Sequence, residues 1–197
     1  EYLLKMTFLA GIFFAVSCSS NNPDNPAPPE VGPQSETITI FTINDPHGKI
    51  NNFAKIKAII DAEKETESQV FFVSGGDIFS GNPIVDYHPE KGFPIIDLMN
   101  KSGMDVSALG NHEFDYGHEI LNERMEQANF PFLCANVENQ SGDLNLPKGH
   151  TSIEKDGFEI AFISVVETNS NNKPSTHPKK VEGLEFVEGV SAFSDYG

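Results

Sequence analysis

Apolar and polar positions along the chain alternate between two patterns, short uniformly apolar runs and longer stretches with helical spacing. Thr37-Ile-Thr-Ile-Phe-Thr-Ile43 is β-branched throughout and predicts a first strand. Phe53, Ile56, Ile59 and Ile60 recur at helical spacing, which predicts a helix capped at Asn51 or Asn52 and running to about Glu67. Val70–Val73 is a short apolar strand of the buried parallel type. A helix over Gly92–Ser102 follows, with Pro94 acceptable in its first turn. A strand over Val106–Leu109, a helix over His118–Ala128 with Ile120, Leu121 and Met125 on one face, and a strand over Phe132–Ala135 complete the alternation. Strand–helix alternation implies right-handed crossovers and a largely parallel sheet with flanking helices, the α/β class. The pattern then changes. Ser152–Lys155 and Phe158–Val165 flank Asp156-Gly157, a two-residue hairpin signal that marks a passage into antiparallel strands, the edge of a second sheet packed on the first. Val166–Lys180 is a polar loop to which no chemistry is assigned.

Three of the strands end in clusters of metal-type donors. Asn44-Asp45-Pro46-His47-Gly48 follows the first, Gly75-Gly76-Asp77 the second, and Gly110-Asn111-His112-Glu113-Phe114-Asp115 the third. In open parallel sheets ligands collect beyond the carboxyl ends of the strands, where all three clusters fall. Hydrolysis of a phosphate ester needs a nucleophile at neutral pH and a sink for charge on the phosphoryl oxygens. Two divalent cations roughly 3.5–4 Å apart provide both, and carboxylates, imidazoles and amide carbonyls suit such ions. Asp45 and His47, two apart, project to one side of an extended chain and can share one ion. Asp77 could bridge both ions, and Asn111 offers the second an uncharged oxygen. His112 and Asp115 remain as a dyad in which the carboxylate orients the imidazole near the phosphate. Glu113 reads as structural, His88, His118, His150 and His177 as surface histidines, Asn82 as a loop residue, and Cys134 as a small core residue.

NDPHG, GGD and GNHEFD, in this order and separated by helix-length segments, resemble the first three motifs of the calcineurin-like metallophosphoesterases. The nearest branch is the 5′-nucleotidase and UDP-sugar hydrolase group, and the resemblance runs from Thr37 to the end of the sequence. It implies a partial calcineurin-like sandwich and two divalent metal ions (Zn, Mn, Mg, Fe or Ca). Asp45 and His47 would serve one metal, Asp77 would bridge, Asn111 would serve the other, His112 would be catalytic and Asp115 its partner. The implied substrate is a nucleotide, a nucleoside monophosphate giving nucleoside and phosphate. A 2′,3′-cyclic phosphodiesterase, a UDP-sugar hydrolase, or a metal- or partner-binding module without catalysis are the alternatives. The later histidines of the family, which end in a Gly-His-x-His element, have no counterpart after Asp115, so residues 37–197 read as the N-terminal portion of a longer catalytic domain.

Composition adds limits. A net charge of -16 and a pI near 4.6 argue against a nucleic-acid partner, whose backbone would be repelled. A small phosphate substrate is compatible with that charge, because bound metal ions dominate the local field. Two cysteines in unlike contexts give no disulfide framework. Lys5 precedes an apolar run, Met6 to Val16, too short to span a membrane. With Ala15-Val16-Ser17-Cys18 after it, residues 1–17 read as a lipoprotein-type signal peptide and Cys18 as a lipidated anchor. The Asn- and Pro-rich stretch 18–36 reads as a semi-stiff tether on the outer side of a bacterial membrane.

Overall fold

The computed structural model describes residues 4–11, 35–67 and 69–194. Its strands are β1 (Leu4–Gly11), β2 (Ser35–Ile43), β3 (Val70–Ser74), β4 (Val106–Ala108), β5 (Phe132–Leu133), β6 (Val137–Asn139), β7 (His150–Lys155), β8 (Phe158–Ile163) and β9 (Leu184–Phe186). Its α-helices are α1 (Phe53–Lys64), α2 (Pro83–Asp86), α3 (Phe93–Ser102), α4 (His118–Gln127) and α5 (Gly189–Phe193). A 3-10 turn covers His112–Phe114 and another Pro178–Val181.

The main sheet has the order β1-β2-β3-β4-β5. β2 through β5 are parallel, with Ile43 beside Ser74, Ser74 beside Ser107 and Ala108 beside Leu133. Consecutive strands are therefore neighbours, and the ends that carry the three donor clusters lie side by side. β1 pairs antiparallel with the outer edge of β2. Export signal and tether were expected over residues 1–36. Cys18 and most of the tether lie outside the described residues, Leu4–Gly11 forms the edge strand, and β2 begins at Ser35, two residues before the expected start.

Alternation along β3 shows how the sheet is covered. Val70 and Phe72 join the cluster formed with Ile60 of α1, Ile95, Ile96 and Met99 of α3, and Leu121 of α4. α1 packs on α3 and α3 on α4, so the crossover helices lie together. Phe71, fully buried on the opposite side of the pleat, meets Phe162 of β8 at a ring separation of 5.9 Å. The expected hairpin is thus present, with Asp156 and Gly157 both at positive φ as a two-residue turn requires, and it leans on the face away from the helices. Lys155 at its tip donates to the Val70 carbonyl (2.6 Å) and to Asp105 (2.7 Å). A short antiparallel pair, β6–β9, lies farther along the chain.

Some local expectations differ in detail. α1 ends at Lys64, and Asn52 makes no side-chain cap to it. Ile59 is 48% exposed and lies outside the core, where Phe53 and Ile60 suffice. The fourth strand is only Phe132–Leu133, but Cys134 is buried as expected. His118 is half-buried rather than solvent-facing. Among the described residues no helix is long and apolar enough to cross a membrane.

Candidate metal and phosphate site

The loops after β2, β3 and β4 continue the ladder of the sheet for several residues. The Gly75 amide donates to the Ile43 carbonyl, and Asp45, His47 and Gly48 donate to the carbonyls of Gly76, Asp77 and Ile78. This pairing draws the donor clusters together with little room between backbones. A Cβ at Gly76, whose φ is +97°, would lie 2.6 Å from the Gly110 nitrogen. One at Gly110 would lie 2.3 Å from Asp77 Oδ1. Only glycine fits either position.

Asp45, His47, Asp77 and Ser80 all have positive φ, and they are four of the six non-glycine residues with that geometry among the described residues. Such strain concentrates where side chains are held for function. It also corrects the expectation for Asp45 and His47. They share a side because both turn through the left-handed region, not because the chain is extended. The His47 Nε2 then lies 3.8 Å from Asp45 Oδ1.

His47, Asp77 and His112 each bring a donor atom within 4.8 Å of the others, so together they could hold a metal ion. The two imidazoles meet edge to face at 4.7 Å. Asp77 Oδ1 accepts from the His112 backbone amide at 2.9 Å, which ties the second cluster to the third. The Asn111 Nδ2 donates to the Ser175 carbonyl at 2.8 Å. Asp45 and Asn111 flank the trio and are not part of it.

His112 Nδ1 lies 2.6 Å from Asp115 Oδ2. That carboxylate oxygen also accepts from Ser80 Oγ at 2.6 Å, and Oδ1 accepts from Thr176 Oγ1 at 3.0 Å. Burial pushes the Asp115 carboxyl upward, but these three donors outweigh it and leave it below the usual carboxylate range. Burial likewise pulls the His112 imidazole down, while the hydrogen bond and charge of Asp115, with the charges of Asp77 and Glu113, raise it above its ordinary value.

Glu113, read as structural, has a definite task. It is fully buried and accepts from the amides of Asp77 (2.9 Å), Ile78 (2.6 Å), Phe79 (3.3 Å) and Gly110 (2.5 Å). Burial pushes its carboxyl up to about 7 against those donors. Nearby, Tyr116 accepts from the Ser80 amide and donates to Asp86. Asn82 caps α2 by accepting from the Ile84 amide at 3.0 Å. His88 is half-buried rather than solvent-facing and bonds to Glu90, while His177 is exposed and accepts from the Lys179 amide. Ser80, Ser175 and Thr176 were not singled out from sequence. Ser80 lies three residues past Asp77, and Ser175 and Thr176 sit in the polar loop, where hydroxyl residues carry no periodic signal.

Comparison with known proteins gives consistent results. The family described as calcineurin-like phosphoesterase matches residues 38–192. A 5′-nucleotidase of Vibrio cholerae is 34% identical over 160 residues, covering 76% of this chain and 28% of the relative. A 2′,3′-cyclic-nucleotide 2′-phosphodiesterase/3′-nucleotidase of Haemophilus influenzae is 35% identical over 145 residues, covering 68% of this chain and 20% of its own. The crystal structure of a 5′-nucleotidase precursor from Thermus thermophilus superposes with a TM-score of 0.69 over 81% of this chain and 33% of that one, at 19% identity, a likeness of fold. The chain thus spans about a third or less of the length of these relatives.

Proposed function

The chain belongs to the calcineurin-like phosphoesterase family, and from that premise we propose that it is the N-terminal part of a metal-dependent phosphoesterase that hydrolyses a nucleoside monophosphate to nucleoside and phosphate. The observation that carries this reading is the approach of His47, Asp77 and His112 within 4.8 Å beside the His112–Asp115 pair. The donor set fits divalent ions, since it mixes imidazole with carboxylate and has an amide oxygen within reach of the same loops. Asp45 and His47 would hold one ion, Asn111 a second, and Asp77 both. Bound there, the ions would lower the pKa of a water and neutralise phosphoryl oxygens.

The chain's own groups do the rest. Asp115 holds His112 by Nδ1, which leaves Nε2 as the atom that meets the phosphoryl group. Held in that orientation, the imidazole is placed to carry a proton at Nε2 toward a phosphoryl or leaving oxygen. Glu113 keeps the Asp77 and Gly110 loops in place from beneath. The cyclic-nucleotide relative at 35% identity supports a second substrate reading, a 2′,3′-cyclic nucleotide at the same site. Residues 1–17 as a signal peptide, Cys18 as the lipidated residue and 18–36 as a tether are proposed on sequence alone; mass spectrometry of the N-terminus finding an unmodified Cys18 in an uncleaved chain would refute that.

For the activity, phosphate release from a nucleoside monophosphate by the full-length protein is measured with Mn²⁺, with Zn²⁺ and with EDTA. Metal-dependent release that EDTA abolishes is expected. No release with any divalent ion overturns the proposal.

A further inference from the structure

We propose that Ser175-Thr176, from the polar loop between β8 and β9, is a positioning strap for the site, fixing Asn111 and Asp115 at once. Two independent contacts carry this. The Ser175 carbonyl accepts from Asn111 Nδ2 at 2.8 Å, and the Thr176 hydroxyl donates to Asp115 Oδ1 at 3.0 Å. Both partners lie more than sixty residues upstream, in the cluster after β4.

The chemistry of each contact is directional. A carbonyl can only accept, so the Asn111 amide must turn its NH₂ group to Ser175. Oδ1, the only atom of that side chain able to coordinate a cation, is then left for an ion. A flipped amide would set two oxygens against each other. The Thr176 hydroxyl acts on the carboxylate oxygen that His112 does not use. His112 and Ser80 both bond Oδ2, and Thr176 supplies the donor on Oδ1. With both oxygens engaged, rotation of the carboxylate breaks a hydrogen bond at either end, and the imidazole it holds is fixed in turn. Partners behind the ligands of a metal site commonly act in this way, and losing one costs about ten- to a hundredfold in metal affinity or activity.

The strap is held from its own side as well. The Thr176 amide donates to the Pro174 carbonyl at 2.8 Å, and Pro174 is buried. The Lys180 amide returns to the His177 carbonyl at 2.7 Å. Thr176 is also part of the lining of a groove of about 660 Å³, with Asn169, Lys173 and Lys179 among its other walls. The loop therefore reaches from the dyad to an open groove. Thr176 itself touches no reacting atom and is a positioning residue.

The kinetic arm rests on the proposed phosphoesterase function; the structural arm does not. In the full-length protein, Thr176→Val keeps the shape of the side chain and removes the hydroxyl. Its kcat is expected to fall about ten- to a hundredfold with KM, bound Mn²⁺ and melting temperature unchanged, and Thr176→Ser is expected to recover most of the rate. A wild-type kcat in Thr176→Val, a loss that serine does not restore, or a rate loss that only follows a fall in melting temperature would each overturn the strap. Hydrogen exchange of residues 175–177 in the metal-free protein is the second readout. It should speed up in both Thr176→Val and Asn111→Ala and stay at the wild-type rate in Thr176→Ser. Unchanged exchange in the first two variants also overturns the proposal. If wild-type protein hydrolyses no phosphate ester, the proposed function fails and the exchange result alone decides the strap.

Discussion

At the scale of single residues, the third cluster divides its labour by burial. His112 and Asp115 are half-exposed and face the site, while Glu113 between them is fully buried and faces away. One turn of 3-10 helix makes this possible, since it turns neighbouring side chains to different sides. Metal-type donors in the three clusters were legible in sequence because carboxylate, imidazole and amide at strand ends have few other uses together. Their backbone was not legible. Nothing in Asp45-Pro46-His47 announces positive φ at both its aspartate and its histidine, and nothing marks Glu113 as the acceptor for four amides. Glu113→Gln preserves the shape but points an NH₂ group at amides that need an oxygen. Stability should fall by about 3 kcal/mol, the range for losing charged hydrogen bonds and stranding buried donors, as read by denaturant unfolding. A variant as stable as wild type would show that the carboxylate is not what holds the Asp77 and Gly110 loops.

Among the elements, the parallel strands separate function from stability along their length. Donor clusters lie at the carboxyl ends of β2, β3 and β4, and the Lys155 bridge to Val70 and Asp105 lies at the opposite ends. Short apolar runs exposed these strands in the sequence, and the helical periodicity between them made the parallel order the natural arrangement. The pairing of β6 with β9 was not readable, because three-residue strands carry too little alternation to register. The Ser175-Thr176 loop was equally silent. Its role depends on where two bends place one carbonyl and one hydroxyl. Gly110→Ala pushes a methyl group to within 2.3 Å of Asp77 Oδ1 in the present geometry, so Asp77 must move. Metal binding by calorimetry should weaken at least tenfold while the far ends of the strands keep their packing. Lys155→Met removes the bridge and leaves the stem over Phe71, whose ring the ammonium covers at 4.6 Å. Among the described residues, Asp105 then keeps the Phe72 amide as its donor. A loss of about 1–3 kcal/mol in unfolding free energy is expected, with metal affinity unaltered; a change in affinity would mean the two ends are coupled.

For the molecule as a whole, electrostatics sets the terms of substrate binding. With a net charge of -16, the chain by itself repels a phosphate ester. Aspartates at the strand ends add to that repulsion locally, so under the proposed function the attraction for a phosphorylated substrate would have to come with the cations they would hold. The same aspartates repel one another when no cation is present, and binding a divalent ion should therefore stabilise the fold as well as activate it. A ligand at a hundred times its dissociation constant adds about 2.7 kcal/mol to the stability of a protein that binds it only when folded. The expectation is a clear rise in melting temperature with Mn²⁺ that EDTA reverses. Asp77→Asn should abolish the rise, because Asp77 belongs to the donor trio and an amide has one uncharged oxygen where the carboxylate has two that share a negative charge. His112→Ala decides the remaining ambiguity of the site. Its imidazole comes within 4.8 Å of the donors of His47 and Asp77, close enough to be a ligand, yet its Nδ1 is committed to Asp115 as a catalytic imidazole requires. On the reading proposed here, His112→Ala keeps the Mn²⁺-dependent rise and loses turnover by two orders of magnitude or more, within the range that general acid–base groups contribute, about 10²–10⁴. If it abolishes the rise as fully as Asp77→Asn does, the imidazole is a metal ligand and the proton it was assigned must be carried by another group.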